Sequence, residues 1–89
     1  VSSEQSVRIR NKLGLHARPA AAFVKAASRF QSEIWVRRDD VEVNGKSIMG
    51  MMMLAAECGS EIVIRAEGTD AEPAMRELVG LIEQKFGEE

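Results

Sequence analysis

Eighty-nine residues suffice for one small domain with a single modest core and leave no volume for a second. A hydrophobic fraction of 45% is ordinary for a globular chain, and no apolar run is long enough to cross a bilayer, so membrane insertion is not expected. A formal charge of −2 argues against wholesale nucleic-acid binding, and one histidine with one cysteine leaves few routes to a metal site, so no metal or other cofactor is expected.

The polar opening, Val1 to Gln5, lacks the apolar core of a secretory signal. Cys58 has no partner for an intramolecular disulfide, which suits a reducing cytoplasm. Val7 and Ile9 then alternate with Arg8 and Arg10, the period of a strand. Asn11 to Leu15 are loop-like. Ala20, Phe23, Val24 and Ala27 recur at helical spacing, so residues 17–29 form an amphipathic helix. Glu33 to Arg38 is a strand with Ile34 and Val36 on one face and Trp35 on the other. Arg38-Asp39-Asp40 turns it into a second short strand around Val41 and Val43.

Asn44-Gly45 breaks that strand, and Ser47 stands where an N-cap belongs, ahead of a short apolar helix from Ile48 to Leu54. Gly50 costs that helix about 1 kcal/mol against alanine. Cys58-Gly59 ends the segment, and Glu61 to Ala66 forms the last strand, with Ile62 and Ile64 inward. A final helix near 71–86 is capped by Asp70 and presents Ala74 or Met75, Leu78, Leu81, Ile82 and Phe86 to the core. The order β-α-β-β-α-β-α predicts one domain over residues 1–89 in two layers, a sheet with helices on one face.

Three places carry candidate chemistry. His16 lies at the mouth of the first helix, where Ala17-Arg18-Pro19 form a first turn in which proline's missing N–H costs nothing. A lone histidine in a small domain is more often structural, but a purely structural cap would use Ser, Thr, Asp or Asn. At a helix N-terminus, beside a guanidinium, the imidazole suits an anion resting on or bonded to it. Arg18 supplies forked donors matched to phosphate oxygens, and the amides of Ala17 and Arg18 add more. No base accompanies the histidine to activate water, so the arrangement suits a phosphoryl carrier, not a hydrolase.

Gly45-Lys46-Ser47 imitates the tail of a P-loop, but that motif needs glycine where Asp40 stands, and the nucleotide-binding reading fails there. Ser47 is at least a helix cap, and a phosphate on it would place about −2 charge beside the helix surface. Met49, Met51, Met52 and Met53 cannot all face inward from so short a helix; the exposed ones form a soft, adaptable docking patch. Arg8, Arg10, Arg37 and Arg38 are scattered and lack an aromatic stacking platform, which leaves the nucleic-acid reading weak.

From about Val7 to the last helix the chain resembles the HPr family, the histidine-containing phosphocarriers of the bacterial phosphoenolpyruvate-dependent sugar phosphotransferase system. Gly14-Leu15-His16-Ala17-Arg18-Pro19-Ala20 is similar to the family's active-site motif, and Asn44-Gly45-Lys46-Ser47-Ile48-Met49-Gly50 to its regulatory-serine motif. The resemblance implies an α+β open-faced β-sandwich, a four-stranded antiparallel sheet with three helices on one face. It implies a non-enzymatic carrier in which His16 takes a phosphoryl group from phosphorylated enzyme I on Nδ1. His16 then passes the group to the IIA unit of a sugar permease, with Arg18 and the amides at the helix start steadying it. Ser47 resembles the target of an ATP-dependent HPr kinase/phosphorylase. Ile48, Met49 and Met52, with Ala21 and Lys25 of the first helix, would form the docking surface of a monomeric cytoplasmic carrier. The run Met51-Met52-Met53 after the serine motif is similar also to the paralogue of the nitrogen-related phosphotransferase branch, which acts as a regulatory binding module.

Overall fold

The computed structural model describes residues 1–88. Its elements run β1 (Ser2–Arg8), α1 (Ala17–Ala27), β2 (Glu33–Arg38), β3 (Val41–Asn44), α2 (Ile48–Met53), β4 (Glu61–Glu67) and α3 (Ala71–Glu83), followed by a 3₁₀ turn at Lys85–Gly87. The strands form one antiparallel sheet in the order β1-β4-β2-β3, an α+β open sandwich. Only β2 and β3 are consecutive neighbours, joined by the tight turn at Asp39-Asp40, where Asp39 adopts φ 55°. Aspartate tolerates that left-handed conformation better than most residues.

Period-two patterning assigns the sheet's two faces. Ile34 and Val36 of β2 and Ile62, Ile64 and Ala66 of β4 are fully buried under the helices. On the open face Trp35 lies opposite Arg65 across the β2–β4 ladder, with the guanidinium 5.8 Å from the ring centroid. Phe23 of α1, Met51 of α2 and Leu78 and Ile82 of α3 fill the core from the helix side. Burying one such side chain fully contributes about 1.5–3 kcal/mol. α1 packs against both α2 and α3.

Several boundaries differ from the sequence reading; α2 ends at Met53 instead of Leu54 and β4 runs one residue past Ala66 to Glu67, shifts of one residue at element ends. β1 begins at Ser2 and ends at Arg8, taking in the polar opening, because an edge strand is held by ladder hydrogen bonds from Ser2↔Glu67 to Arg8↔Glu61 even where its side chains are exposed. α1 stops at Ala27, short of residue 29. α3 stops at Glu83, not near 86: Lys85 and Phe86 both take positive φ, so Phe86 reaches the core's edge from a kinked turn instead of a continuing helix. Within α3, Val79 is buried, whereas Leu81 is only partly so.

Asp70 stands at the α3 N-cap position but does not cap with its side chain. Its carboxylate accepts from the backbone N–H of Gln31 (2.8 Å) and of Ser32 (2.9 Å) and from the Ser32 hydroxyl, tying the α3 entrance to the α1–β2 loop. The Ser32 hydroxyl, then the Gln31 amide, hold the Asp70 carboxyl below its ordinary value. A lowered folded-state pKa stabilises the protein above the unfolded aspartate value of about 3.9, and that contribution disappears as pH falls through the folded value. Asp70→Asn should therefore lose stability against the parent in urea titrations at about pH 7, with the gap narrowing at about pH 3. An equal gap at both pH values would show that charge is not what matters at this clasp.

Candidate functional site

Beyond Arg8 the chain runs along the lead-in to β4. The Ile9 N–H donates to Ser60 O and the Gly59 N–H to Ile9 O, both at 2.8 Å, and the Leu15 N–H donates to Ala56 O at 2.9 Å. Gly14 turns between these anchors with φ +72°, and a Cβ there would lie 2.5 Å from the Ala56 carbonyl oxygen. Both backbone conformation and space thus require glycine. Leu15 is buried beside it, which leaves His16 the next residue able to face outward.

His16 is the N-cap residue of α1, extended (ψ −173°), with its carbonyl accepting the Ala20 N–H at 3.0 Å. Its side chain makes no capping bond and is 37% exposed. The amides of Ala17 and Arg18 belong to the turn that a helix leaves without internal acceptors, so the positive end of α1 lies beside the imidazole. Arg18, exposed at the second helical position, lines a concavity of about 460 Å³ together with His16, Lys12, Phe86 and Glu88. The structure therefore brings His16, Ala17 and Arg18 together at one mouth.

Two further residues meet there. The Glu88 carboxylate lies 3.3 and 3.4 Å from His16 Nε2, one oxygen at each distance. Asn11, wholly buried, donates through Nδ2 to Gly14 O (2.7 Å) and to Glu88 Oε1 (3.1 Å). Both partners are acceptors, which fixes the orientation of the amide. The cost is a buried Oδ1 without a partner. Sequence reading misses Glu88 because 72 residues separate it from His16 and no motif joins them. Asn11 is visible only as a loop residue.

The second motif forms its own local unit. The Asn44 side chain accepts the Lys46 N–H (2.8 Å), Lys46 Nζ donates to Phe30 O (2.7 Å), and Ser47 Oγ accepts the Gly50 N–H (3.0 Å), the N-cap bond expected. α2 then splits its methionines: Met51 is buried, whereas Met49 and Met53 are exposed and Ile48 and Met52 nearly half so. Ala21 and Lys25 occupy the exposed side of α1, and Lys25 lines the groove toward α3 with Ala22, Ala26 and Arg29. Cys58 is exposed and free. Among the described residues no helix is long and apolar enough to cross a membrane, and no three His, Cys, Asp or Glu side chains gather as metal ligands.

An imidazole at a helix mouth, with a guanidinium lining the same concavity and a partly exposed apolar helix on the same small sandwich, defines a small protein of the class suited to holding an anion at an open surface. A family model described as the "PTS HPr component phosphorylation site" matches residues 3–84. The phosphocarrier protein HPr of Neisseria meningitidis is 54% identical over 85 residues, which cover 96% of each chain. The HPr-like protein Crh of Halalkalibacterium halodurans is 49% identical over 92% of this chain and 98% of its own. A crystal structure of HPr from Thermoanaerobacter tengcongensis superposes with a TM-score of 0.94 at 55% identity and 98% coverage of both chains. Another from that organism, of an HPr dimer, gives 0.79 at 56% identity, covering 92% of this chain and 94% of its own. The chain belongs to the HPr family of phosphotransferase-system phosphocarriers.

Gly14→Ala should destabilise the fold by at least about 1–2 kcal/mol from the left-handed backbone alone, with the Ala56 contact adding to it. The loss would be read from the urea midpoint at unchanged m-value. A variant as stable as the parent would mean that the loop does not depend on this approach.

Proposed function

We propose that the chain is a non-enzymatic, monomeric, cytoplasmic carrier that takes a phosphoryl group from phosphorylated enzyme I onto His16 and delivers it to the IIA unit of a sugar permease. The observation that carries the reading is the partly exposed imidazole at the N-cap of α1, free of any capping bond, with Arg18 in the same concavity. Transfer needs a lone pair on the ring, an approach path and charge stabilisation; it needs no base and no enclosed pocket. The Nδ1 lone pair forms the new P–N bond as the bond between phosphorus and the phosphorylated group of enzyme I breaks, and that group departs with the electron pair. Arg18 and the amides of Ala17 and Arg18 hold the three phosphoryl oxygens while the charge redistributes. Both partners dock on one surface, built from Ile48, Met49 and Met52 of α2 with Ala21 and Lys25 of α1.

Ser47 gives that surface a switch. A phosphate placed there by an HPr kinase/phosphorylase would sit at the helix entrance where the Gly50 N–H donates to Ser47 Oγ, stabilised by the helix end, and set about −2 charge beside the apolar face. This feature also supports a second reading, in which the protein acts chiefly as a regulatory binding module, as its likeness to the HPr-like protein Crh would allow.

Incubation with enzyme I and labelled phosphoenolpyruvate should place an acid-labile label on the parent and none on His16→Ala. A His16→Ala protein labelled at the parent's rate would end the carrier reading. Arg18→Ala should lower the transfer rate by about 10²-fold while leaving docking affinity nearly unchanged, so rapid-quench kinetics and calorimetry together test its role.

Ser47→Asp should slow phosphorylation by enzyme I mainly through weaker docking, seen as a raised KM at little-changed kcat. A Ser47→Asp protein with the parent's KM would remove Ser47 from the docking argument.

A further inference from the structure

We infer that Glu88 is a positioning residue that selects which imidazole nitrogen of His16 reacts; this rests on the carrier reading above. A neutral imidazole carries one proton and one lone pair, and the nitrogen that keeps the lone pair is the nucleophile. Both carboxylate oxygens of Glu88 face Nε2, at 3.3 and 3.4 Å. A carboxylate only accepts, so it favours the tautomer with the proton on Nε2 and leaves the lone pair on Nδ1. Long contacts of this kind tighten when a reacting complex closes over them.

The carboxylate is itself held. Asn11 is buried and spends one amide hydrogen on Gly14 O and the other on Glu88 Oε1, so the loop that delivers His16 also delivers its orienter. The relay runs from Gly14 through Asn11 and Glu88 to the imidazole. It repeats the arrangement of nucleophile and third-group orienter, with the nucleophile being the ring itself. Glu88 side-chain exposure is 20%, low enough for the contact to be more than a surface ion pair.

The step balances without another reagent. The Nδ1 lone pair forms the bond to phosphorus, the bond from phosphorus to the donor's group on enzyme I breaks with its electron pair leaving on that group, and Nε2 keeps its proton throughout. The accepting ring thereby gains positive charge, which faces the Glu88 carboxylate.

The test reads the tautomer first, by 15N NMR of the unphosphorylated protein with no partner present. It therefore gives its answer even if phosphoenolpyruvate and enzyme I fail to label His16, the outcome that would sink the carrier reading instead. The parent should carry its ring proton on Nε2, and Glu88→Ala should move population toward Nδ1–H. Glu88→Gln should restore the parent pattern, because one amide oxygen can accept from both Asn11 Nδ2 and His16 Nε2. With enzyme I as donor, Glu88→Ala should lower kcat roughly tenfold at unchanged KM, and Glu88→Gln should recover most of it. Nδ1 protonation in the parent, an unchanged tautomer ratio in Glu88→Ala, or a glutamine variant that restores nothing would each overturn the assignment.

Discussion

The passage from β1 to α1 is pinned to the lead-in of β4, and the position of His16, the proposed phosphoacceptor, depends on that seam. Three backbone hydrogen bonds, from Ile9, Gly59 and Leu15, close it. The approach of Gly14 to the Ala56 carbonyl oxygen is too close for any side chain. β4 is paired on both sides, with β1 and with β2, so the seam is referenced to the interior of the sheet and not to a free edge. A histidine carried on such a loop behaves as if mounted on a strand. That rigidity matters for a group transferred between proteins, because the reacting atoms of two partners must meet within a few tenths of an ångström of one geometry.

α2 solves a different problem with the same economy of residues. A single methionine, Met51, anchors the helix in the core, and its neighbours Met49, Met52 and Met53 are left outside. Flexible thioether side chains can match surfaces of different shape at little strain. The helix is short and its entrance is held by Ser47 Oγ, so the proposed docking face and its cap are one structure. A modification at that cap cannot leave the face unchanged.

The parts of this molecule that depend on periodicity were legible in the sequence. Ile34 and Val36 against Trp35 assign β2 to its faces, and the position of Ser47 ahead of an apolar run marks it as the helix cap. The motif around His16 pointed to the proposed acceptor through its residues and through family resemblance. What escaped depends on contacts between distant segments or on backbone pairing that side chains do not advertise. The opening of β1 is polar and reads as a tail, yet ladder bonds to β4 make it a strand. Asp70 reads as a helix cap, yet its carboxylate spans to Gln31 and Ser32. The turn after Glu83 follows apolar spacing that a continuing helix would also satisfy, and two left-handed residues redirect it. Those same residues bring Glu88 to His16.

That redirection bears on how the proposed carrier site would hold a phosphoryl group without hydrolysing it. Had α3 continued straight through residue 86, the carboxylate would not reach the imidazole by the path it takes. As built, the Glu88 carboxylate, the one at the mouth among the described residues, is occupied by Nε2 and by the Asn11 amide. A carboxylate engaged by two donors is a poor base for water, whereas it is well placed to orient a ring. The same contact that favours attack through Nδ1 therefore withholds the group best able to promote loss of the phosphate to solvent. Acceptance and retention, which a carrier must reconcile, follow from one arrangement of three side chains.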